Sequence, residues 1–275
     1  MGGPSEAIEH PRASGGALGE ISEGGHADPG LAMTPLDAEM ERASEALVAC
    51  RYFEAERACV RALHEARRAN DFERMARIVL PLQEARRQKR QLALDAGAIH
   101  VIRDLRDVPR PARAGFYLVC PPLIGLDARR VREQLDAAQV PAMVLAREPT
   151  TRAGQWPIVS VGDEVVVRTR VAPPEGGDDS LDIWTRGAFA GERASAAHLA
   201  WFLAAGEALG DEAIARIKAN EPAAHRVDDL MEFVAAFPDH EKLHQRLEEA
   251  CRAAMREPTP ERARRRPVVD DPYSF

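Results

Sequence analysis

Lysine is almost missing from this chain. With three lysines, Lys89, Lys218 and Lys242, among 37 basic residues, the other 34 are arginine. Alanine is abundant alongside, and GC-rich coding accounts for both without a functional reading. Aromatic residues make up 5% of the chain, so cores must be built mainly from Leu, Val, Ile and Ala. An excess of positive charge is also lacking. The net charge is -7 with acidic and basic residues interspersed, which argues against nucleic acid as a partner, because that requires a net-positive patch. The one basic cluster, Arg262, Arg264, Arg265 and Arg266, lies near the C-terminal end. Only four cysteines occur, Cys50, Cys59, Cys120 and Cys251. They show no CxxC spacing, and their apolar surroundings read as those of reduced core thiols. The longest apolar stretch, Phe116 to Leu126, is broken by Pro121 and Pro122 and is too short to span a membrane. The first residues show neither the basic nor the apolar region of a secretory leader. The expectation is a soluble protein of the cytoplasm with no membrane partner.

What is present is ordinary globular material, 45% apolar and 29% charged over 275 residues. That length suits two folded parts, since domains commonly run to roughly 100–200 residues. The pattern predicts an α/β (α+β) chain: N-terminal antiparallel helical hairpins, a small mixed β-sheet with a β-α-β crossover, and a helical C-terminal third. The expected divisions are a disordered tail over 1–33, a helical region over 34–96, an α/β domain with C-terminal helices over 97–257, and a disordered tail over 258–275.

Structure is expected to begin at Thr34-Pro35-Leu36-Asp37, where Thr can cap a helix, Pro fits its first turn and Asp can reach back. Met40, Ala43, Leu47 and Cys50 recur at helical spacing. A second stripe runs through Ala55, Cys59, Ala62 and Ala66, and a third through Phe72, Met75, Val79 and Leu82, with Pro81 expected to kink or split that helix. From Gly115 the period changes. Phe116-Tyr117-Leu118-Val119-Cys120, a helix carrying Ala128, Val131 and Leu135, and Pro141-Ala142-Met143-Val144-Leu145 fit a β-α-β crossover. Ile158 to Val161, Gly162-Asp163 and Glu164 to Arg168 read as a β-hairpin. A loop is expected over Ala172 to Ser180. Helical spacing then returns through Phe202, Gly206 and Leu209, through Val227, Leu230 and Val234, and through Leu243, Leu247 and Ala250.

The run Cys50-Arg51-Tyr52-Phe53-Glu54-Ala55 resembles a tetratricopeptide repeat. Tyr52 matches the family's turn aromatic, and Ala55 and Ala62 match its small positions, where alanine lets the two helices of a hairpin approach. Ala43, Cys59 and Arg67 depart from the glycine, aromatic and proline the family prefers there. The resemblance falls within residues 37–90 and amounts to about one 34-residue unit, whereas a stable solenoid stacks about three or more. It implies close helix packing at Tyr52, Ala55 and Ala62 and a groove for a protein partner.

One sharp chemical motif occurs. His240-Glu241-Lys242-Leu243-His244 satisfies H-E-x-x-H and resembles the zincin metallopeptidase motif, in which two histidines share a zinc and the glutamate activates water. Zinc bound by His240 and His244, with Glu241 as base, is therefore the enzymatic alternative, with Glu248, Glu249 or Glu257 as a third ligand. The plainer reading is a charged, solvent-facing helix with exposed imidazoles. Cys120, at the end of a strand, lacks an assignable base. Arg147-Glu148-Pro149 reads as a solvated ion pair beside the sheet. His64, His100, His198 and His225 read as isolated surface or satisfied helix histidines, and Trp156, Trp184 and Trp201 as packing anchors. The balance favours a non-enzymatic interaction or scaffold protein with no cofactor.

Overall fold

A computed structural model describes residues 34–176, 193–258 and 260. The tail expected at 1–33, most of that expected at 258–275, residues 177–180 of the expected loop, Trp184 and the 262–266 arginines lie outside the described residues. Thr34 caps α1 (Pro35–Val48): its hydroxyl accepts from the Asp37 N–H at 3.1 Å, and Asp37 takes the Thr34 hydroxyl at 2.6 Å. The helix ends in a tight turn in which the Cys50 N–H reaches the Leu47 carbonyl and the Arg51 N–H that of Ala46. The end of α2 (Tyr52–Arg68) repeats this turn, with Asn70 bonding to Arg67 and Asp71 to Ala66. Cys50 and Asn70 take left-handed φ values of 57° and 54°, the conformation this helix-ending turn demands. Two successive hairpins follow from it, and α1, α2 and α3 (Phe72–Ala96) pack side by side.

Alanine sets their spacing. Ala46, Ala55 and Ala85, one from each helix, are fully buried together, and Ala62 is fully buried about two turns further along α2, while Tyr52 is half-buried. Arg67 ties α2 to a later helix through a two-pronged pair with Asp228, at 2.6 and 2.9 Å. The split expected at Pro81 does not occur. Proline removes one backbone bond, and packing along both sides of this 25-residue helix outweighs that local cost of about 3 kcal/mol.

Gly97, in the left-handed region at φ 65°, ends α3 and turns the chain into the sheet. Five strands follow in spatial order: β1 (Ile99–Ile102), β2 (Gly115–Val119), β3 (Ala142–Arg147), β4 (Trp156–Val161) and β5 (Val166–Val171). The first three are parallel, and β4 and β5 add antiparallel. α4 (Gly125–Ala137) makes the β2–β3 crossover. β1 was not foreseen, being four residues with no alternation to mark it.

Alternation divides the sheet's two faces. Tyr117, Val119, Val144, Ala146 and Val159 meet Val131 and Leu135 of α4. Phe116, Leu118, Met143, Leu145 and Ile158 face α3, α5 (Ala196–Ala215) and the helices beyond. α6 (Ala223–Ala236) and α7 (Glu241–Ala254) complete the chain, with α7 lying along α3 and α6 along α7. The helices therefore form a continuous array in the order α1, α2, α3, α7, α6. Its core is continuous with one face of the sheet, so residues 34–96 and 97–257 share a single interior.

Candidate functional site

The turn between α6 and α7 carries the H-E-x-x-H motif and is met by side chains of α3, α4 and α5. α6 ends at Ala236 because Phe237 precedes Pro238 and takes an extended ψ of 84°, as residues before proline do. Its last carbonyls need partners. Arg86 of α3 donates to Val234 O at 3.3 Å, Arg132 of α4 to Ala235 O at 3.2 Å and to Ala236 O, and Ser160 of β4 to Ala236 O at 2.6 Å. The two guanidinium charges also suit the negative end of that helix.

His240 is the N-cap of α7 and lies outside the helix itself. Its Nδ1 accepts the Leu243 N–H at 3.3 Å, which puts its proton on Nε2. That nitrogen faces Glu207 at 3.3 Å and Asp211 at 3.5 Å, both on α5. The ring lies flat against Gly210: a Cβ there would come within 2.1 Å of His240 Cγ, so only glycine admits it. His244 points elsewhere. Its Nε2 meets Arg86 Nη1 at 3.0 Å and its Nδ1 meets His240 O at 2.9 Å. Guanidinium can only donate, so Nε2 accepts and Nδ1 carries the proton. Both histidines are almost completely buried, and the expected solvent-facing pair of imidazoles is corrected accordingly.

This arrangement does not fit a zinc site. Each imidazole has one nitrogen protonated and the other accepting, so neither offers a lone pair. Glu241 pairs with Arg90 of α3. The carboxylates considered as third ligands serve other partners: Glu248 pairs with Arg252, Glu249 with Arg246, and Glu257 accepts the Ala223 N–H at 2.7 Å. Among the described residues no three His, Cys, Asp or Glu side chains are placed to hold a metal ion.

The residues around the motif form a buried charged cluster. Glu56 of α2 accepts from Arg86 Nε at 2.7 Å and from Lys89, which also bridges to Asp136 of α4 and lies 4.2 Å over the Phe53 ring. Burial raises the Glu56 carboxyl, but the charges of Arg86 and Lys89 outweigh it and hold it down to about 2. Burial, reinforced by the Arg86 charge, pushes His244 down to about 3. His240 is lowered by burial, against the pull of Glu207 and Asp211. Asp239 goes the other way. Burial raises it to about 6 although Lys89, Arg132 and Arg90 oppose the shift. Beside them lies a partly open cavity of about 150 Å³ lined by Glu56, Arg86, Lys89, Arg132, Glu133, Asp136 and Asp239.

The remaining candidates stand apart from this cluster. Cys120 is buried, points at Leu118 O, and is pushed by burial up to about 12, as are Cys59 and Cys251; none is a poised nucleophile. Arg147 is 4% exposed and stacks 4.3 Å over Trp156. Glu148 pairs with Arg168 of β5 at 2.8 Å, so the adjacent Arg147-Glu148 ion pair is corrected. His100 stacks on Tyr117 at 4.6 Å, and Trp201 packs edge-on to Trp156 while donating to Ala172 O at 2.8 Å.

Sequence reasoning missed Glu56, Arg86, Arg132, Asp136 and Asp239. For Arg86 a signal existed, because it continues the Val79–Leu82 stripe into a position that should be apolar. No family model matches the chain, and no curated protein or solved structure matches it.

Proposed function

We propose that the protein is a non-enzymatic interaction module that holds a protein partner on its helical array. The observation that carries this reading is a groove between α3 and α7 on the outer side of that array. Ala76, Leu80 and Met255 lie along it, with Leu80 69% and Met255 53% exposed. Glu73, Arg77, Glu248, Arg252 and Arg256 line it as well. A groove that combines apolar and charged side chains suits an amphipathic helix, which carries both on its two faces. The tetratricopeptide-like reading of residues 37–90 supports the same conclusion through its alanine-spaced helices. The engagement of His240, Glu241 and His244 in internal contacts supports this reading over the zinc-hydrolase alternative. Cytoplasmic residence and the absence of nucleic-acid partners belong to the same proposal, supported by the charge balance and by four free cysteines. No described helix is long and apolar enough to cross a membrane.

A photocrosslinking residue placed at position 80 or 255 in the producing cell tests the reading. One defined protein should be captured at both positions and not at Val48, which is 87% exposed but outside the groove. Leu80→Glu should abolish capture from position 255 without changing the circular dichroism spectrum. Capture at Val48 equal to that at the groove, or none anywhere, would defeat the proposal.

A further inference from the structure

The cavity at the α6–α7 turn is lined by charges of both signs, of which Arg86, Lys89, Glu56 and Asp136 pair with one another while Asp239 pairs with none of them. Arg132 uses two of its donor groups on Ala235 O and Ala236 O, and a guanidinium has five N–H donors. Among the described residues its Nε makes no bond. Arg86 likewise bonds through Nε and Nη1 and makes none through Nη2. Across the same space stands Asp239, whose carboxyl receives no hydrogen bond and no ion pair among the described residues, although its backbone carbonyl accepts from Arg90 at 2.9 Å. Lys89 is committed to Glu56 and Asp136. The cavity therefore separates an unpaired carboxyl from guanidinium donors that still have capacity.

We propose that this cavity binds a small zwitterion of glycine or alanine size, with its carboxylate taken by Arg132 and Arg86 and its ammonium by Asp239. Size supports the assignment: about 150 Å³ is the volume of a cavity known to admit a benzene-sized molecule. Charge decides between ligand classes. A lone anion brings its charge against Asp239 and leaves that carboxyl unpaired. A lone cation can pair with Asp239 but leaves the spare guanidinium donors of Arg132 and Arg86 without an acceptor. A zwitterion gives each side its opposite and adds no net charge to a poorly solvated space, where an uncompensated ion is costly. Two-pronged binding of a carboxylate is also what the guanidinium fork does best. Burial raises Asp239 and lowers Arg132, and the charge of each only partly offsets the shift of the other. This inference goes beyond the interaction reading and does not depend on it.

Isothermal titration of the full chain at pH 7 tests the proposal, with glycine and L-alanine as ligands and acetate, methylammonium and L-leucine as controls. Glycine or alanine should give a saturable heat. Acetate and methylammonium, each supplying one end, should bind at least about tenfold more weakly, the usual loss for one charge-assisted contact. Leucine should give no heat because it exceeds the volume. Asp239→Asn keeps the shape, and its melting transition establishes that it folds; it should lose glycine binding by about tenfold or more. Absence of heat with both glycine and alanine overturns the proposal and leaves a water-filled cavity. So does acetate binding as tightly as glycine, or an Asp239→Asn protein that binds unchanged.

Discussion

Ala85 and Arg86 are neighbours in α3 and seal two interfaces by opposite means. Ala85 meets Ala46 and Ala55 where three helices converge, with Leu47 packed against them. Arg86, one residue on, reaches Glu56, His244 and Val234 O where α3 meets α2, α6 and α7. The alanine junction works by closeness, gaining many small dispersion contacts without side-chain ordering. The arginine junction works by pairing: Arg86 meets Glu56, His244 and Val234 O at once, and leaving such buried groups without their partner is costly. The first is disturbed by added volume and by any unpaired polar group, whereas the second is weakened when one partner of a buried pair is removed.

The sharpest way to break the comparison is Arg86→Met. It leaves Glu56 with Lys89 alone and strips a donor from His244 and from Val234 O. Removing one partner of a buried ion pair commonly costs about 3–5 kcal/mol, and urea unfolding should show a loss of that order. A loss below about 1 kcal/mol would mean that the cluster is solvated and that the contrast is false. Ala55→Leu attacks the other junction, where overpacking should cost about 1–3 kcal/mol. If its melting temperature matches the parent protein, α1 and α3 part easily and the alanines do not set the spacing.

Acidification sharpens the contrast, since only the charged junction titrates. His244 is held near 3 against an ordinary value of 6.5, so the folded state binds fewer protons. Its contribution is complete above pH 6.5 and is lost as pH falls from there through 3. Asp239, raised to about 6 from 3.8, has the reverse sign. It favours folding below pH 3.8 and loses that contribution as pH rises through 6. Between about pH 4 and 6 the two slopes oppose each other. Stability measured by urea unfolding should therefore fall more steeply over that interval in Asp239→Asn than in the parent chain. Parallel profiles would show that Asp239 does not titrate there. Smallest of all is the effect expected from metal removal. Protein prepared without a histidine tag should contain no stoichiometric zinc, and a chelator should leave its melting temperature unchanged. One zinc per chain, lost in His240→Ala, would contradict the lone-pair assignment of both imidazoles.

How much of this was legible in the sequence follows from the range over which each signal acts. The helices, the crossover and the β4–β5 hairpin depend on spacings of two to five residues, and the runs from Met40 to Leu82 and from Phe116 to Val167 display them openly. The small residues at 55 and 62 were visible through their resemblance to a repeat. Arg67, which departs from that repeat, proved to tie α2 to Asp228, a partner 161 positions away. The motif at 240–244 misled because a spacing of four implies one helical face only if both residues are inside the helix. His240 is the cap, so its ring turns toward α5 while that of His244 turns toward α3. Arg132 and the α6 carbonyls lie more than a hundred positions apart, and no local pattern reports such a meeting.

The long span of the Arg86 contacts also bears on how the chain is made. Arg86 and His244 are separated by 158 positions. Ribosomes add about 5–20 residues per second, so on the order of ten seconds pass between the synthesis of one partner and that of the other. During that interval α1 to α3 can close their alanine junction, whose members all lie in the first part of the chain. The face of α3 destined for α7 stays open, with Leu82 and its neighbours uncovered beside charges that have no counterpart yet. The protein is thus born with one finished seam and one waiting seam. Ribosome-associated chaperones should meet the nascent chain at the second, and a stop codon placed before residue 240 should yield a product that aggregates through that uncovered helix.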